Sequence, residues 1–327
     1  MFLAGDIGGT KTLIAAFDGD EQRLSVVREQ EFHSAQHSSL AEIVANFLRS
    51  GPRLELSAAC FGVAGMVVGG RCRTTNLPWE LDAAELARAA GLPKVKLLND
   101  LEAMALGMLC LRPAEFECVN ETGPAPKAGN LAVIAAGTGL GEAVLYWDGQ
   151  HYRPIASEGG HADFAPRTEL EIELLRYLRG MFGEHVSYER VLSGPGIHNI
   201  YRFLRDGGYA PEPRWLAAGL KQSADPSALI SHTGLAGKDE LCRQTLELFA
   251  TLYGAEAGNL ALRCLATHVY LGGGIAPKLK GVLADGSFMR GFLGKGRLAA
   301  LLKGVAVRLS LNQRAALLGA AHCAARL

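Results

Sequence analysis

Three features are missing from this 327-residue sequence. It has no excess charge of either sign, because 33 Lys and Arg residues balance 33 Asp and Glu residues. No uncharged apolar run reaches about 18 residues, the length that a membrane-spanning helix needs. The first residues lack the basic stretch and the apolar stretch of a secretory leader. These absences argue against a nucleic-acid-binding protein, a membrane protein and a secreted protein.

No cysteine belongs to a Cys-x-x-Cys pair, so neither a zinc site nor a redox motif is indicated. The seven cysteines lie mostly in apolar surroundings: Cys60, Cys72, Cys110, Cys118, Cys242, Cys264 and Cys323. Their odd number and apolar neighbours are typical of free thiols in a reducing compartment. We therefore expect a cytoplasmic protein.

The remaining composition is that of a folded α/β protein. Hydrophobic residues make up 49% of the chain, and its length favours two domains. Short apolar runs at 56–63 and 95–98 are predicted strands, and the spacing at 40–48 and 82–90 predicts helices. Strands that alternate with helices predict α/β domains with largely parallel sheets.

The stretch over residues 2–19 predicts a strand, a glycine-rich turn and a second strand. Gly8 and Gly9 let the backbone approach a phosphate, while Thr10 adds a hydroxyl and Lys11 a positive charge. Asp6 ends the first strand, where it could lie near a metal ion bound to that phosphate. A strand follows the turn, which excludes a P-loop because that motif opens a helix. A tight hairpin without a ligand is the alternative.

Asn99 and Asp100 follow a predicted strand and precede a helical pattern over 101–111. Open α/β sheets place their ligands at this junction of strand end and helix start. The same residues also suit a purely structural role, because Asn99 with Glu102 three positions later resembles a capping box. The local pattern leaves both interpretations open.

The opening pattern returns in the second half of the chain. A predicted loop at 112–129 separates the halves, and residues 131–149 again predict strand, glycine-rich turn and strand. Two such turns, each opening one half, suggest a duplicated domain that grips one phosphate tail.

Three further segments carry candidate ligands. Glu158, His161 and Asp163 lie close together, and we favour a polyol site over a metal site or a solvated loop because these groups accept and donate hydrogen bonds. Taken alone, Glu189 is typical of a surface carboxylate. A third glycine-rich turn follows the predicted strand at 269–271. Its glycines leave room for a nucleoside, and the alternative is a plain strand-to-helix turn. Helices are predicted at 169–182, 197–205, 239–266 and 315–326, with a loop-rich insert before the third.

These motifs together resemble those of bacterial ATP-dependent glucokinases, a family in the superfamily of sugar kinases, actin and Hsp70-type chaperones. The matching stretches cover nearly the whole chain: 5–10, 98–102, 136–141, 158–166, 189–196 and 271–274. The glycine-rich turns fit the whole superfamily, whereas the stretches at 158–166 and 189–196 are more specific. The resemblance implies an α/β two-domain actin-like ATPase fold, of the ribonuclease H-like kind, with a cleft between the domains.

The resemblance also implies roles for individual residues. Asp100 corresponds to the base that accepts the proton of the sugar's 6-hydroxyl, in a transfer of phosphate from ATP to glucose. The sugar ligands correspond to Asn99, Asp100, Glu158, His161 and Glu189. The ATP ligands correspond to Gly5, Asp6, Ile7, Gly8, Gly9, Thr10, Lys11, Gly137, Thr138, Gly139, Gly272, Gly273 and Gly274. Mg²⁺ is the expected second cofactor, with Asp6 acting through water.

The chain departs from the family pattern at two points. Lys11 stands where many such glucokinases have Asn, and the Cys-rich zinc loop of the related repressor–kinase proteins is absent, so no structural zinc is expected. The predicted domains are 1–111, joined by a helix near 305–327, and 112–304. The expected partners are glucose, ATP and a second copy of the chain, with neither nucleic acid nor membrane. A kinase for another hexose or phosphate donor, a sugar-sensing regulator and a chaperone-like or actin-like ATPase are the alternatives.

Overall fold

The computed structural model describes residues 1–21, 23–74, 76–122 and 128–327. The strands are β1 (Phe2–Ile7), β2 (Lys11–Asp20), β3 (Arg23–His33), β4 (Ala58–Val63), β5 (Val67–Val68), β6 (Arg71–Arg73), β7 (Glu80–Asp82), β8 (Val95–Asn99), β9 (Phe116–Cys118), β10 (Leu131–Ala136), β11 (Leu140–Trp147), β12 (Tyr152–Ser157), β13 (His268–Gly272) and β14 (Ala306–Ser310). The helices are α1 (Leu40–Arg49), α2 (Ala83–Ala90), α3 (Asp100–Met108), α4 (Glu169–Phe182), α5 (Gly194–Asp206), α6 (Arg214–Gln222), α7 (Pro226–Leu235), α8 (Glu240–Cys264), α9 (Lys280–Ala284), α10 (Ser287–Leu293), α11 (Ala299–Lys303) and α12 (Ala315–Ala325).

The first main sheet has the strand order β3-β2-β1-β4-β8. β1, β4 and β8 are parallel, whereas β2 and β3 return antiparallel from β1. The register places Ile7 beside Val63 and Val63 beside Asn99. The carboxyl ends of the three parallel strands therefore lie at one edge, which brings Asp6 and Asp100 to the same side of the sheet.

The second main sheet repeats this arrangement, with the order β12-β11-β10-β13-β14-β9. β10 pairs antiparallel with β11 and parallel with β13, as β1 pairs with β2 and β4. The prediction of two strand–turn–strand units, one in each half of the chain, is confirmed. A small third sheet, β5-β6-β7, extends from the loops around the first.

Two helices, α3 and α12, pack together between the main sheets. Gly107 of α3 lies against the backbone of Ala315, and Gly319 of α12 lies against the backbone of Ala103, so closely that an added Cβ would meet a carbonyl oxygen at 1.8 Å in both cases. Glycine is required at both points, because any side chain would separate the two helices. One hydrophobic cluster, which includes Leu98, Val133 and Leu317, joins strands of both sheets through these helices.

Most predicted elements are confirmed, including the helix that begins at Leu40 and the helix at the end of the chain. Three details are wrong. The segment 112–129 is not all loop, because β9 pairs with β14 at the edge of the second sheet. The insert before α8 is helical, since α6 and α7 lie there. The helix after Asn99 ends at Met108 rather than at 111.

Other expectations have a different outcome. Part of the predicted loop at 112–129 lies outside the described residues, namely 123–127. The domain limits at 111 and 304 stay a prediction. Among the described helices, none has both the length and the apolar character needed to cross a membrane.

Candidate active site

The first glycine-rich turn joins β1 to β2 and is held in place by its neighbours. The N–H of Gly8 donates to the carbonyl of Lys11 at 2.9 Å. Ser34 fixes the turn from outside, because its Oγ donates to the Gly8 carbonyl at 2.8 Å and its N–H donates to the Thr10 carbonyl at 3.0 Å. A Cβ on Gly9 would lie 2.6 Å from Cβ of Asn76, so the turn has no room for a side chain there.

Three residues predicted at this phosphate site have other contacts. Gly5 lies between Phe61 and Ile14, each of which would be within 2.8 Å of an added Cβ, and Ile7 is buried. Gly5 and Ile7 can therefore contribute to nucleotide binding only by holding the turn in place. The ammonium of Lys11 forms an exposed ion pair with Glu31 on β3 at 2.8 Å, so it has to leave Glu31 to reach a phosphate.

The junction of β8 and α3 combines a helix cap with a candidate catalytic group. Asn99 Oδ1 accepts the N–H of Leu101 at 2.8 Å, and Glu102 returns a bond to the N–H of Asn99 at 2.9 Å. The capping-box interpretation is therefore confirmed. The capping box does not exclude a catalytic role for Asp100, because the box is formed by Asn99 and Glu102. Asp100 lies beside it, on the first turn of α3.

Asp100 and Asp6 are both partly buried carboxyl groups. Burial raises the pKa of Asp6 to about 6. Burial raises the pKa of Asp100 to about 6 as well, with smaller contributions from the charges of Asp6 and Glu158. A carboxyl group with a pKa nearer neutrality is a better proton acceptor than an ordinary aspartate. The site thus contains a base suited to deprotonate a hydroxyl group.

The second turn, over 137–139, is contacted by Glu189. The Oε2 atom of Glu189 accepts the N–H of Leu140 at 3.1 Å. A Cβ on Gly139 would lie 2.4 Å from the same oxygen. Glu189, which the resemblance assigns to the sugar, therefore also touches the turn assigned to the phosphates. Thr138, at the tip of the turn, is exposed.

The third turn and the start of α5 meet at the same place. The N–H of Gly194 donates to the carbonyl of Gly137 at 2.8 Å. Gly273 has a φ of +79° and lies against the carbonyl of Ala136, whereas Gly274 is open. Gly272 packs against Met104 of α3. The positive end of the α5 dipole thus lies beside the second turn, which favours an anion there.

Glu158 precedes a short 3₁₀ turn after β12, and His161 ends it. The His161 imidazole is 4.0 Å from the Glu158 carboxylate, and both side chains are more than half exposed. Asp163 instead pairs with His185 at 2.9 Å, so it is not directed at the other two. Exposed carboxylate and imidazole groups suit hydrogen bonding to a polyol.

Metal ligands are sparse. In the part of the chain that the structure describes, no three His, Cys, Asp or Glu side chains group as a metal site. A metal ion here would need ligands from a bound substrate, and the carboxylate of Asp6 is the protein group nearest to the first turn.

Sequence reasoning missed Glu142. This residue is the third of β11, after the second turn, and is 1% exposed. Burial raises its pKa to about 8. The available signal was one acidic residue inside an otherwise apolar strand.

Comparisons with known proteins show the family to which the chain belongs. The sequence model of the glucokinase family matches residues 3–327. A glucokinase of Nostoc punctiforme is 41% identical over 340 residues, which cover 100% of this chain and 99% of the relative.

Solved structures confirm the predicted fold, the two-domain actin-like ATPase fold. The glucokinase of an Antarctic psychrotroph superposes with a TM-score of 0.86 at 32% identity, covering 100% of this chain and 99% of that one. A glucokinase of the ROK family from Streptomyces griseus, solved with glucose and AMPPNP, superposes with a TM-score of 0.67 at 22% identity over 100% and 99% of the two chains. By sequence and by structure, this chain belongs to the glucokinase family.

Proposed function

We propose that the protein transfers the γ-phosphoryl group of ATP to the 6-hydroxyl of D-glucose, giving glucose 6-phosphate and ADP, with Asp100 as the general base. The observation that carries the assignment of the base is the position of Asp100. It lies on the first turn of α3, at the carboxyl edge of the first sheet, with its pKa raised to about 6 by burial. Membership of the glucokinase family supplies the reaction.

Phosphoryl transfer needs positioning and charge neutralisation more than covalent chemistry. Asp100 orients the 6-hydroxyl and takes its proton as the new O–P bond forms. Asn99, Glu158, His161 and Glu189 bind the other hydroxyl groups. Because a site built for particular hydroxyls leaves polar groups unpaired when a sugar lacks them, these four side chains select the sugar.

The donor phosphates lie against the two glycine-rich turns. Gly9 and Thr10 present N–H and hydroxyl donors from the first turn, and Thr138 and Gly139 do so from the second. Gly8 and Gly137 shape the two turns, because their N–H groups donate to the carbonyls of Lys11 and Gly139. The adenosine lies at the third turn, where Gly274 leaves open space. The start of α5 beside Gly137 supports an anion at this place.

Mg²⁺ fits this site through Asp6. Hard divalent cations prefer oxygen ligands, and Mg²⁺ usually keeps several waters and binds protein through one or two carboxylates. The carboxylate of Asp6 would hold it through water, and the ion would neutralise charge on the donor phosphates. The homodimer is a proposal that rests on the family resemblance, and sedimentation equilibrium tests it. The cytoplasmic location is a proposal that rests on the free cysteines.

A coupled assay of glucose 6-phosphate formation tests the proposal. Asp100→Asn keeps the size of the side chain and removes the base, so we expect kcat to fall roughly 10²–10⁴-fold while glucose still binds. In the wild type, kcat should fall as the pH drops through about 6, because Asp100 then gains a proton.

Mannose, fructose and polyphosphate serve as alternative substrates in the same assay. If the protein turned over only with another sugar or another donor, the assignment of Asp100 as the base would stand and the assignment of the substrate would change. Full activity of Asp100→Asn would remove the base assignment.

A further inference from the structure

Two glutamates are buried behind the loop that holds Glu158 and His161, residues 158–161, which we call the sugar loop. Glu142 on β11 is 1% exposed and Glu256 on α8 is 0% exposed. Within the described ranges, no N–H or O–H group donates a hydrogen bond to either carboxylate oxygen of Glu142. An ionised carboxylate that is buried without a hydrogen-bond donor is strongly unfavourable. The neutral acid is the form that this environment favours.

Glu142 touches the backbone of the sugar loop. It lies opposite Ser157 in the β11–β12 ladder, one residue before the loop begins. A Cβ on Gly159 would be 2.2 Å from Oε2 of Glu142, so this oxygen lies against the Cα of Gly159. Gly159 begins the 3₁₀ turn that ends at His161. A shift of the carboxyl group therefore moves the loop.

The guanidinium group of Arg263 lies near both glutamates. Nη1 of Arg263 is 2.8 Å from Oε1 of Glu256 and 3.8 Å from Oε2 of Glu142. Nδ2 of Asn259 also donates to Glu256 at 2.7 Å. Two buried carboxyl groups beside one cation do not both ionise easily. Burial and the charge of Glu256 raise the pKa of Glu142 to about 8, against the lowering effect of Arg263.

Other titratable groups face the same cluster. Tyr253 on α8 interacts with Glu142, and Tyr188 interacts with Glu256. Lys295 donates to the carbonyl of Ala255 at 2.9 Å and to Oδ1 of Asn259. Burial lowers the pKa of Lys295 to about 8. Lys295 is therefore the group whose titration has to be separated from that of Glu142.

We propose that Glu142 is a positioning residue for the sugar loop, which acts as a neutral carboxylic acid that donates a hydrogen bond to the carboxylate of Glu256. The inference rests on the proposed function, because it takes the sugar loop to bind glucose. With Glu142 neutral, the cluster holds one negative charge on Glu256 and one positive charge on Arg263. Loss of the proton makes the two carboxylates repel, so Gly159 is displaced, and Glu158 and His161 lose their alignment with the sugar.

Glucose binding measured by titration calorimetry without ATP, at pH 7 and pH 9, tests this. If only the neutral form of Glu142 holds the loop, the Kd of the wild type rises about tenfold over this range. Glu142→Gln stays neutral, and its amide still donates to Glu256, so its Kd should change by less than about twofold. The kcat at saturating glucose should stay near the wild-type value in this variant at pH 7.

The control is Glu117→Gln, a carboxylate paired with Lys280 at the surface, which should keep the full pH dependence of the wild type. A flat Kd in the wild type would overturn the proposal, and this measurement needs no variant to fold. A tenfold rise that persists in Glu142→Gln would also overturn it and would point to Lys295. If glucose is neither bound nor phosphorylated at pH 7, the proposed function fails instead.

Discussion

Leu101 lies against Gly141, and this contact joins the two halves of the site. A Cβ on Gly141 would be 2.3 Å from Cδ2 of Leu101. Leu101 follows Asp100 on α3, above the first sheet, whereas Gly141 lies on β11 of the second sheet, two residues after the second glycine-rich turn. The position of Asp100, the proposed base, relative to the second glycine-rich turn therefore depends on Gly141.

Gly141→Ala tests this dependence. The added methyl group has to push Leu101 and α3 away, an overpacking that costs about 1–3 kcal/mol. Because the shift of α3 also moves Asp100, we expect kcat/KM for glucose to fall about tenfold or more, since a misplacement of about 1 Å can cost roughly 100-fold in rate. The double variant Gly141→Ala/Leu101→Ala should recover part of the loss, because the space is returned.

The matched control is Gly180→Ala in α4, where nothing lies within 4 Å of an added Cβ. It should leave kcat/KM unchanged. If the effects of Gly141→Ala and Leu101→Ala simply add, the two residues are not coupled and the contact does not position the base.

Asp6→Asn should stabilise the protein above neutral pH. Burial raises the pKa of Asp6 to about 6, so at pH 8 the folded protein carries a charge that is better solvated in the unfolded chain. Removing that charge should increase the free energy of unfolding by ~2 kcal/mol.

The sign of the pH dependence follows from the same shift. Between about pH 6 and pH 4 the folded carboxyl gains its proton, the penalty disappears, and the variant loses its advantage. Urea unfolding at both pH values measures the gain, with Asp18→Asn on the exposed end of β2 as control. An equal gain at pH 8 and pH 4 would contradict this explanation.

Glu189 should influence both substrates, because its carboxylate, which is proposed to bind the sugar, also accepts the N–H of Leu140 beside the second turn. Glu189→Ala leaves the N–H of Leu140 without its partner, so we expect the KM for ATP and the KM for glucose to rise about five- to thirtyfold, equivalent to roughly 1–2 kcal/mol. Glu189→Gln keeps an oxygen acceptor and should raise chiefly the KM for glucose.

Initial-rate kinetics with each substrate varied in turn measure both constants, and Glu184→Ala, at an exposed position, is the control. An unchanged KM for ATP in Glu189→Ala would show that the contact with Leu140 does not support the phosphate turn.

The sequence predicted those parts of the fold whose signals are local. Alternating strands and helices, the capping box of Asn99 and Glu102 and the repeated strand–turn–strand unit all depend on residues close together in the chain. β9 was missed because its three residues become a strand only by pairing with β14, which lies about 190 positions later. α6 and α7 were missed because the insert was judged by its loop-forming residues rather than by its helical spacing.

The candidate site shows the same division. Motifs singled out Asp100, Glu158 and Glu189, but they did not show that Glu189 contacts Leu140 or that Lys11 pairs with Glu31. Glu142 escaped notice because its meaning depends on Glu256 and Arg263, which lie more than 110 residues further along. The fold brings such a buried cluster of charges together from distant parts of the chain. The order of residues in the sequence therefore does not reveal it.

The close packing of α12 against α3 has a consequence for biosynthesis. Residues 315–325 supply part of the core beneath β1 and β4, where Leu317 and Ala320 join the cluster that contains Ala4 and Cys60. During translation the first sheet therefore emerges long before the helix that covers it. The first sheet cannot complete its core until the ribosome has made residues 315–325, which leaves its apolar face open to chaperones in the meantime.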